Sequence, residues 1–320
     1  MLRYIGKRLL MMIPVLLGVI IIVFTIMYMT PGDPARMILG EGASASAVEE
    51  LSETLGLNDS YFVQLLRYVK NLVFDFDLGN SYASKKPVID EILERFPTTI
   101  LLATLSVAIS VIVGVSMGII SATKQYSIFD KIATSISLIG VSMPTFWAGL
   151  MAVIIFSVYL RWLPASGSYG WKYWILPSLT LGLSSSATIM RMTRSSMLEV
   201  IRQDYIRTAR AKGQNERVVI IYHALKNAMI PVITVIGMRF GTLLGGSVLI
   251  ESVFAISGLG KFIIDSINMR DNPVVQGGVL LLALSFSICN LLVDILYGFI
   301  DPRIKSKLSK KRGPKKNVEA

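Results

Sequence analysis

Six long apolar stretches run through the chain, and they constrain its fold more than any other feature. They lie near Leu9–Met29, Thr99–Ala122, Ile132–Leu160, Tyr173–Met190, Ala228–Ile250 and Gln276–Ile300. An α-helix needs roughly 20 apolar residues to cross a bilayer. The sequence therefore predicts an all-α, polytopic membrane protein with six transmembrane helices. The third stretch carries Pro144 in GVSMPTFW, which predicts a kink or a break in that helix.

Composition agrees with a membrane protein and limits the chemistry. Hydrophobic residues make up 53% of the chain and charged residues only 17%, below the norm of about 25% for soluble proteins. A net charge of +11 would suggest nucleic acid in a soluble protein, but here its distribution indicates topology, and no nucleic-acid partner is expected. The single cysteine, Cys289, excludes an intrachain disulfide and a cysteine-based metal cluster.

The basic residues predict the orientation of the spans. Segment 191–227 holds eight basic and three acidic residues, the tail 301–320 holds eight and two, and the N-terminus carries Arg3, Lys7 and Arg8. Because Lys and Arg concentrate on the cytoplasmic side, both termini are predicted to be cytoplasmic in a cell (plasma or inner) membrane. The first apolar run exceeds the 7–15 residues of a cleaved signal, so we expect a retained span. The basic tail 306–320 either sets topology or attracts anionic membrane lipid.

The segment between the first two spans, 30–98, is expected to be extracytoplasmic and helical. Three parts of it have helical spacing: AVEELSETLG (47–56), YFVQLLRYVKNL (61–72) and PVIDEILERF (87–96). Its role is open between capping the bundle and docking a partner. We divide the chain into 1–98, the first span with this segment, a five-helix core over 99–305, and the tail 306–320.

Segment 191–227 contains no catalytic constellation, and His223 is the only histidine, which excludes a histidine-based metal site or triad. Its centre reads DYIRTARAKG (204–213). Asp204 as N-cap and Gly213 as a stop predict a helix of about two turns. Arg207 and Arg210 then share one face, and Ala209 leaves room for a partner. A solvated basic loop is the alternative interpretation.

Several phrases in order carry a resemblance. RTARAKG and HALKNAMIPV (223–232) resemble the EAA-type cytoplasmic loop of binding-protein-dependent ABC importer permeases, type I, in the dipeptide/oligopeptide branch. MTPGDPA, FDLGNSY, RFPTTILL, GVSMPTFW, ESVFAISGLGKF and NLLVDILYGFIDPRIK agree with it, so the resemblance extends to about residue 305. The Glu-Ala-Ala of the general motif falls here as Arg207-Thr208-Ala209, whereas Gly213 is kept.

The resemblance implies a permease subunit for dipeptide or oligopeptide import, not an enzyme. Loop 191–227 would form a coupling helix in a groove of a separate ATPase, with Tyr205, Arg207, Ala209, Arg210 and Gly213 as contact or shape residues. The implied partners are a second homologous permease, two ABC ATPase subunits, an extracytoplasmic substrate-binding protein and the peptide substrate. A nickel, glutathione or other small-solute importer, a secondary transporter or channel, and a membrane scaffold or sensor are the alternatives.

The sequence offers no nucleotide site of its own. GLGK at 258–261 is followed by Phe262 rather than Ser or Thr and lacks the earlier glycine of a phosphate-binding loop, so a tight outer turn is expected. ATP and Mg²⁺ would be bound by the partner ATPases, and no cofactor is expected in this chain.

Two charges lie inside the predicted spans. Arg239 lies opposite a stripe formed by Gly237, Gly241 and Gly245 on the fifth span, and Asp294 lies in the sixth. A charge at this depth should face protein or water. We expect an Arg239–Asp294 ion pair; the alternative is that Arg239 lines the translocation path and attracts a peptide carboxylate.

Overall fold

The computed structural model describes residues 2–40 and 42–300, and the elements named there are all helices. The α-helices are α1 (Leu2–Met29), α2 (Pro34–Leu39), α3 (Ala45–Leu55), α4 (Tyr61–Lys70), α5 (Val88–Thr123), α6 (Ile128–Ser142), α7 (Thr145–Ala152), α8 (Ile175–Ile201), α9 (Asp204–Ala211), α10 (Glu216–Val218), α11 (Lys226–Gly246), α12 (Val248–Val253), α13 (Leu259–Asn268) and α14 (Asn272–Ile300). π-Helical turns follow α4 over Asn71–Asp75, follow α7 over Val153–Tyr159 and join α10 to α11 over Val219–Leu225. The basic tail 306–320 lies outside the described residues.

Six helical segments correspond to the six predicted spans. Four are long and apolar enough to cross a membrane: α1, α5, the continuous stretch Glu216–Gly245 and most of α14. The bent pair formed by Ile128–Ser142 and Thr145–Tyr159 is long and apolar enough for a fifth when it is counted as one span. The 27 residues of α8 extend about 40 Å at 1.5 Å per residue, enough for a sixth, although α8 is less apolar than the others.

α8 is the central helix of the bundle, which explains its lower hydropathy. It packs against α5, α6, α7 and α11, so its side chains meet protein more than lipid. Two of its hydroxyl groups donate to its own backbone: Thr180 Oγ1 donates to Leu176 O at 2.8 Å and Ser186 Oγ donates to Leu183 O at 2.7 Å. A helix in this position does not need a fully apolar surface to lie in a membrane.

Small residues let α5 and α8 approach closely. A Cβ on Gly114 would lie 2.8 Å from Ser186 O, and one on Gly118 would lie 2.5 Å from Thr193 Cβ. Contacts advance in the same direction along both helices, so α5 and α8 are parallel. Because α9 follows α8, and residues 30–87 precede α5, these two regions lie at opposite ends of the bundle. We call them the α9 end and the α4 end.

The predicted break at Pro144 is confirmed. α6 ends at Ser142, α7 begins at Thr145, and the two axes differ by 102°. Pro144 lacks a backbone N–H and cannot continue the hydrogen-bond ladder of α6. The third crossing is therefore a bent helix pair rather than a straight span.

The 30–98 segment contains the expected helices, with one difference in extent. Ser44 is the N-cap of α3, and its side chain accepts from Ala47 N; Gly56, with φ of +65°, is the C-cap. The predicted helix at 87–96 is not separate: α5 continues from Val88 through Pro97 into the second span. Pro97 is tolerated because neighbouring groups can satisfy the freed backbone in a membrane bundle. The division drawn at residue 98 thus falls inside one helix.

A buried carboxylate fixes the phrase FDLGNSY to the bundle. Asp271, directly before α14, is 2% exposed and accepts hydrogen bonds from Ser81 Oγ, from Tyr82 N at 3.0 Å and from Ala83 N at 3.2 Å. Together with burial, its charge raises the pKa of the Tyr82 phenol to about 12. The loop before α5 is therefore held to the start of α14.

Part of the predicted glycine stripe makes the contact between α11 and α14. A Cβ on Gly237 would overlap Val293 Cγ2, and one on Gly241 would lie 3.0 Å from the Phe286 ring. Nothing lies within 4 Å at Gly245. Close packing thus uses two of the three glycines. Cys289 is partly buried on α14 beside this contact, in agreement with a packing role.

Candidate coupling site

α9 forms the expected two-turn helix, but its start differs from the prediction. The N-cap is Gln203, and Asp204 is the first helical residue, with no side-chain capping hydrogen bond. The acidic Asp204 in the first turn still favours the positive end of the helix dipole. The chain leaves the helix at Gly213, whose φ of +75° lies in the left-handed region that favours glycine. The glycine stop is therefore confirmed and the aspartate cap is not.

One face of α9 is seated on the protein itself. Ile206 is fully buried and Ala209 is 8% exposed, and both belong to an apolar cluster with Met197 of α8 and Ala224. The expected space beside Ala209 is thus occupied by this chain. The small side chain lets α9 lie close to the bundle, so Ala209 determines how the helix is seated.

The other face of α9 is exposed and basic. Tyr205 is 45% exposed, and the Arg207 side chain is 73% exposed with only a long 3.7 Å contact to Asp204. Arg210 is 39% exposed and its guanidinium binds Glu216 at 2.6 and 3.1 Å. This hydrogen bond raises the pKa of Arg210, which keeps its charge fixed. The exposed face therefore carries the Arg207 guanidinium, the Arg210–Glu216 ion pair and part of the Tyr205 ring.

Side-chain bonds tie α9 to the helical stretch that follows. Arg210 binds Glu216 on α10, and Asn227 on α11 donates to the Tyr205 hydroxyl at 3.0 Å. His223 shares a 2.7 Å hydrogen bond with Gln214 in the connecting turn. With the buried apolar face, these contacts fix α9 to α10 and α11.

A buried ion pair beside α9 was not predicted from the sequence. Asp130, at the start of α6, is 4% exposed and receives hydrogen bonds from Arg194 Nε at 2.7 Å and Arg194 Nη2 at 2.9 Å. Ser121 of α5 and the Tyr126 backbone complete its shell. The sequence did hold one signal for this pair: Asp130 lies just before the third apolar stretch, and Arg194 lies just after the fourth. The pair joins α5, α6 and α8 at the α9 end.

The predicted Arg239–Asp294 ion pair is wrong. Asp294 binds Arg8 at 2.9 Å and so joins the last helix to the first. Arg239 instead donates to Thr188 Oγ1 on α8 at 2.8 Å. The prediction failed because α11 presents Arg239 toward α8, away from the glycine face that contacts α14. Each charge has its own partner on a different helix.

GLGK is the beginning of a helix rather than an outer turn. Gly258 precedes α13, and the backbone N–H of Lys261 donates to Glu251 Oε2 at 2.9 Å. Glu251 is fully buried, and its Oε1 accepts from Thr99 and Ser247 hydroxyls at 2.8 Å each. A carboxylate already occupies this helix N-terminus. The site is thus structural, and it explains the phrase ESVFAISGLGKF.

A cavity of about 520 Å³ lies between α5, α6, α7 and α8 and follows the bend at Pro144. Its wall is mostly apolar, with hydroxyl groups at Ser137, Thr145, Thr180 and Ser184. Within the described ranges, no group of three or more His, Cys, Asp or Glu residues could hold a metal ion. The mostly apolar wall suits passage or packing.

Comparisons with known proteins agree with this architecture. The family "Binding-protein-dependent transport system inner membrane component" matches residues 114–306, and "Binding-prot-dependent transport system membrane comp, N-term" matches residues 1–103. The chain belongs to this permease family. One relative is the dipeptide transport system permease protein DppB of Alkalihalophilus pseudofirmus. It is 47% identical over 333 residues, which cover 95% of this chain and 100% of DppB.

A second relative in the family carries a different name. The glutathione transport system permease protein GsiC of Escherichia coli K12 is 45% identical over 307 residues, covering 96% of this chain and all of GsiC. Among solved structures, a chain of the MetNI methionine ABC transporter in inward-facing conformations has a TM-score of 0.54 at 18% identity. It covers 67% of this chain and 97% of the other, and it shows the fold alone. The chain is an inner-membrane, multi-pass permease subunit of an ABC importer rather than an enzyme.

Proposed function

We propose that this permease subunit imports dipeptides or oligopeptides and is driven by separate ATPase subunits that contact α9. The observation that carries the proposal is the two-sided construction of α9. Its buried face is fixed to the bundle, while Tyr205, Arg207 and Arg210 are 45%, 73% and 39% exposed. A rigid helix with outward guanidinium groups can pair with carboxylates of a partner and transmit its displacement.

The complete importer would contain four other subunits. A second, homologous permease completes the membrane part, two ABC ATPases bind ATP and Mg²⁺, and a substrate-binding protein delivers the peptide. The basic segment 191–227 supports a cytoplasmic position for α9, with both termini on the same side. The α4 end would then face the binding protein.

Gly213 has a defined part in this proposal. Its positive φ lets the chain turn directly after α9, so that α10 returns beside Arg210. Ala209 acts through the seat of the helix, and Gly213 through its end. Tyr205, Arg207 and Arg210 remain the proposed contacts to the ATPase.

The peptide substrate is supported by the relative named for dipeptide transport, which is matched over its whole length. Glutathione, itself a small peptide, is the alternative suggested by GsiC. The cavity beside Pro144 would form part of the path. Arg239, bound to Thr188, would support that path by fixing α11 to α8.

The test is uptake by proteoliposomes that contain the complete importer. Labelled dialanine, glutathione and Ni²⁺ are supplied outside with the binding protein, and ATP is supplied inside. We expect ATP-dependent accumulation of dialanine that ionophores leave unchanged. Preferred uptake of glutathione or Ni²⁺ would move the chain to the alternative substrates, and uptake driven by an ion gradient without ATP would reject the importer.

The role of α9 is tested in the same vesicles. Arg207→Ala combined with Tyr205→Ala should reduce uptake about tenfold or more. Removal of a charged contact at an interface typically costs more than about 1 kcal/mol of binding free energy. Arg36→Ala, which removes an exposed charge at the α4 end, is the matched control and should leave uptake unchanged. If the double variant takes up substrate as fast as the Arg36→Ala control and the unchanged protein, α9 does not couple the ATPases to transport.

A further inference from the structure

The helix α4 and its π-helical continuation expose an apolar face that no described residue covers. We call this set, Phe62, Leu66, Val73, Phe74 and Phe76, the α4 face. Phe62 is 72% exposed, Leu66 68% and Phe74 76%. Contiguous apolar surface of this kind marks a contact with a membrane or a partner.

The opposite side of α4 is fixed to the first span by aromatic rings. Tyr61 and Thr25 of α1 share a hydrogen bond of 2.7 Å between their hydroxyl groups. The Tyr61 ring meets the Phe24 ring edge to face at 5.7 Å, and Tyr68 stacks on Phe24 at 5.8 Å. The position of α4 relative to α1 is therefore defined by direct contacts.

These contacts place α4 at the depth of a membrane interface. Thr25 is four residues before Met29, the end of α1, which is about 6 Å along the helix axis. The residues one and two turns deeper on the same side, Ile21 and Leu17, are 47% and 40% exposed. In a membrane-spanning helix such exposed apolar residues lie at the level of the hydrocarbon, so α4 contacts α1 about one turn above that level.

We propose that α4 with Asn71–Asp75 is an interfacial helix whose α4 face is buried among the lipids of one leaflet. Interfacial amphipathic helices insert an apolar face about 5–10 Å into the boundary between headgroups and acyl chains. Tyr61 and Tyr68 suit that depth, since tyrosine concentrates at membrane interfaces. Lys70, exposed in the last turn of α4, can meet anionic headgroups.

A protein partner is the competing occupant, because residues 30–87 also lie at the end proposed to receive the substrate-binding protein. The choice of lipid rests on depth: Tyr61 of α4 shares its hydrogen bond with Thr25, one turn above the exposed apolar Ile21 of α1. A water-borne partner could reach the α4 face only by approaching the hydrocarbon level. The α4 face would meet lipid in either orientation of the chain and with any substrate.

The test uses the full chain in liposomes of phosphatidylcholine with some phosphatidylglycerol. Single cysteines in a Cys289→Ser background carry a bimane fluorophore at Leu66, at Ile22 as the lipid reference or at Glu53 as the water reference. Lipids with a nitroxide high on the acyl chain and aqueous iodide serve as the two quenchers. A Cys289→Ala background replaces the first if membrane incorporation falls.

We expect the Leu66→Cys label to be quenched by nitroxide lipid to within about twofold of the Ile22→Cys label, as for a side chain at the acyl boundary. It should be protected from iodide relative to the Glu53→Cys label. Iodide quenching equal to that at Glu53→Cys would overturn the proposal. Protection from both quenchers, or loss of lipid quenching when the partner subunits are added, would show that protein covers the α4 face.

Discussion

At the scale of single residues, buried carboxylates hold together parts of this permease that are distant in the sequence. Asp130, Glu251 and Asp271 are 4%, 0% and 2% exposed, and each accepts several hydrogen bonds. A buried charge is tolerated only when partners satisfy it, so each carboxylate requires its own set of donors. Removal of one member of such a set leaves the others buried and unpaired.

Asp130→Ala should therefore destabilise the protein by about 3–5 kcal/mol, the range for breaking a buried ion pair, because Arg194 keeps its charge without a partner. Thermal unfolding of the purified protein in detergent measures the change. Asp204→Ala, which removes a 97% exposed carboxylate, is the control and should change stability by less than about 0.5 kcal/mol. Similar losses for the two variants would contradict the structural role of Asp130.

Tyr82 gives the protein a predictable response to alkali. Its pKa is raised from 10.0 to about 12 by burial and by Asp271, so the folded state favours the neutral phenol. A folded-state pKa above the unfolded one stabilises at pH below 10 and loses that contribution as pH rises to 12. Tyr82→Phe should flatten this part of the stability profile. An unchanged profile, measured by unfolding from pH 9 to about 12, would exclude Tyr82 as its source.

At the scale of elements, tight glycine contacts determine how the helices cross. A Cβ on Gly118 meets Thr193 Cβ at 2.5 Å and Met190 O at 2.8 Å, and the backbone oxygen cannot move aside. Gly118→Ala should cost about 1–3 kcal/mol through overpacking. Gly245→Ala, also in a membrane helix but with nothing within 4 Å, should be neutral or stabilising. Melting temperatures in one detergent compare the two, and equal values would contradict the α5–α8 contact.

Elements also show how far sequence reasoning reaches. The break at Pro144, the helix at 204–213 and its end at Gly213 follow from backbone chemistry, and the structure has all three. The partners of Arg239 and Asp294 depend on which helices are neighbours, and apolar periodicity does not contain that information. The sequence likewise does not show that α5 continues through Pro97. Proline usually interrupts a helix, but neighbouring groups in a membrane bundle allow the helix to continue.

At the scale of the whole molecule, Glu251 joins regions that are far apart in the sequence. It binds Thr99 of α5 and the backbone of α13, which belong to the two separately matched parts of the family. Glu251→Gln should lower stability by about 1–3 kcal/mol, because an amide cannot accept from all three donors. The exposed Glu53→Gln is the control. Thermal unfolding with equal midpoints would show that the cluster does not hold the two regions together.

Because α5 is long, a small rotation at one of its ends displaces the other end. Its 36 residues measure about 54 Å, well beyond the roughly 30 Å of a hydrocarbon core. One end lies beside the Asp130–Arg194 pair and the other beside the segment that carries α4. A tilt of about 5° about one end of a rod of this length carries the other end by about 5 Å, nearly one helical turn. Small rotations at the α9 end thus become ångström-scale displacements at the α4 end.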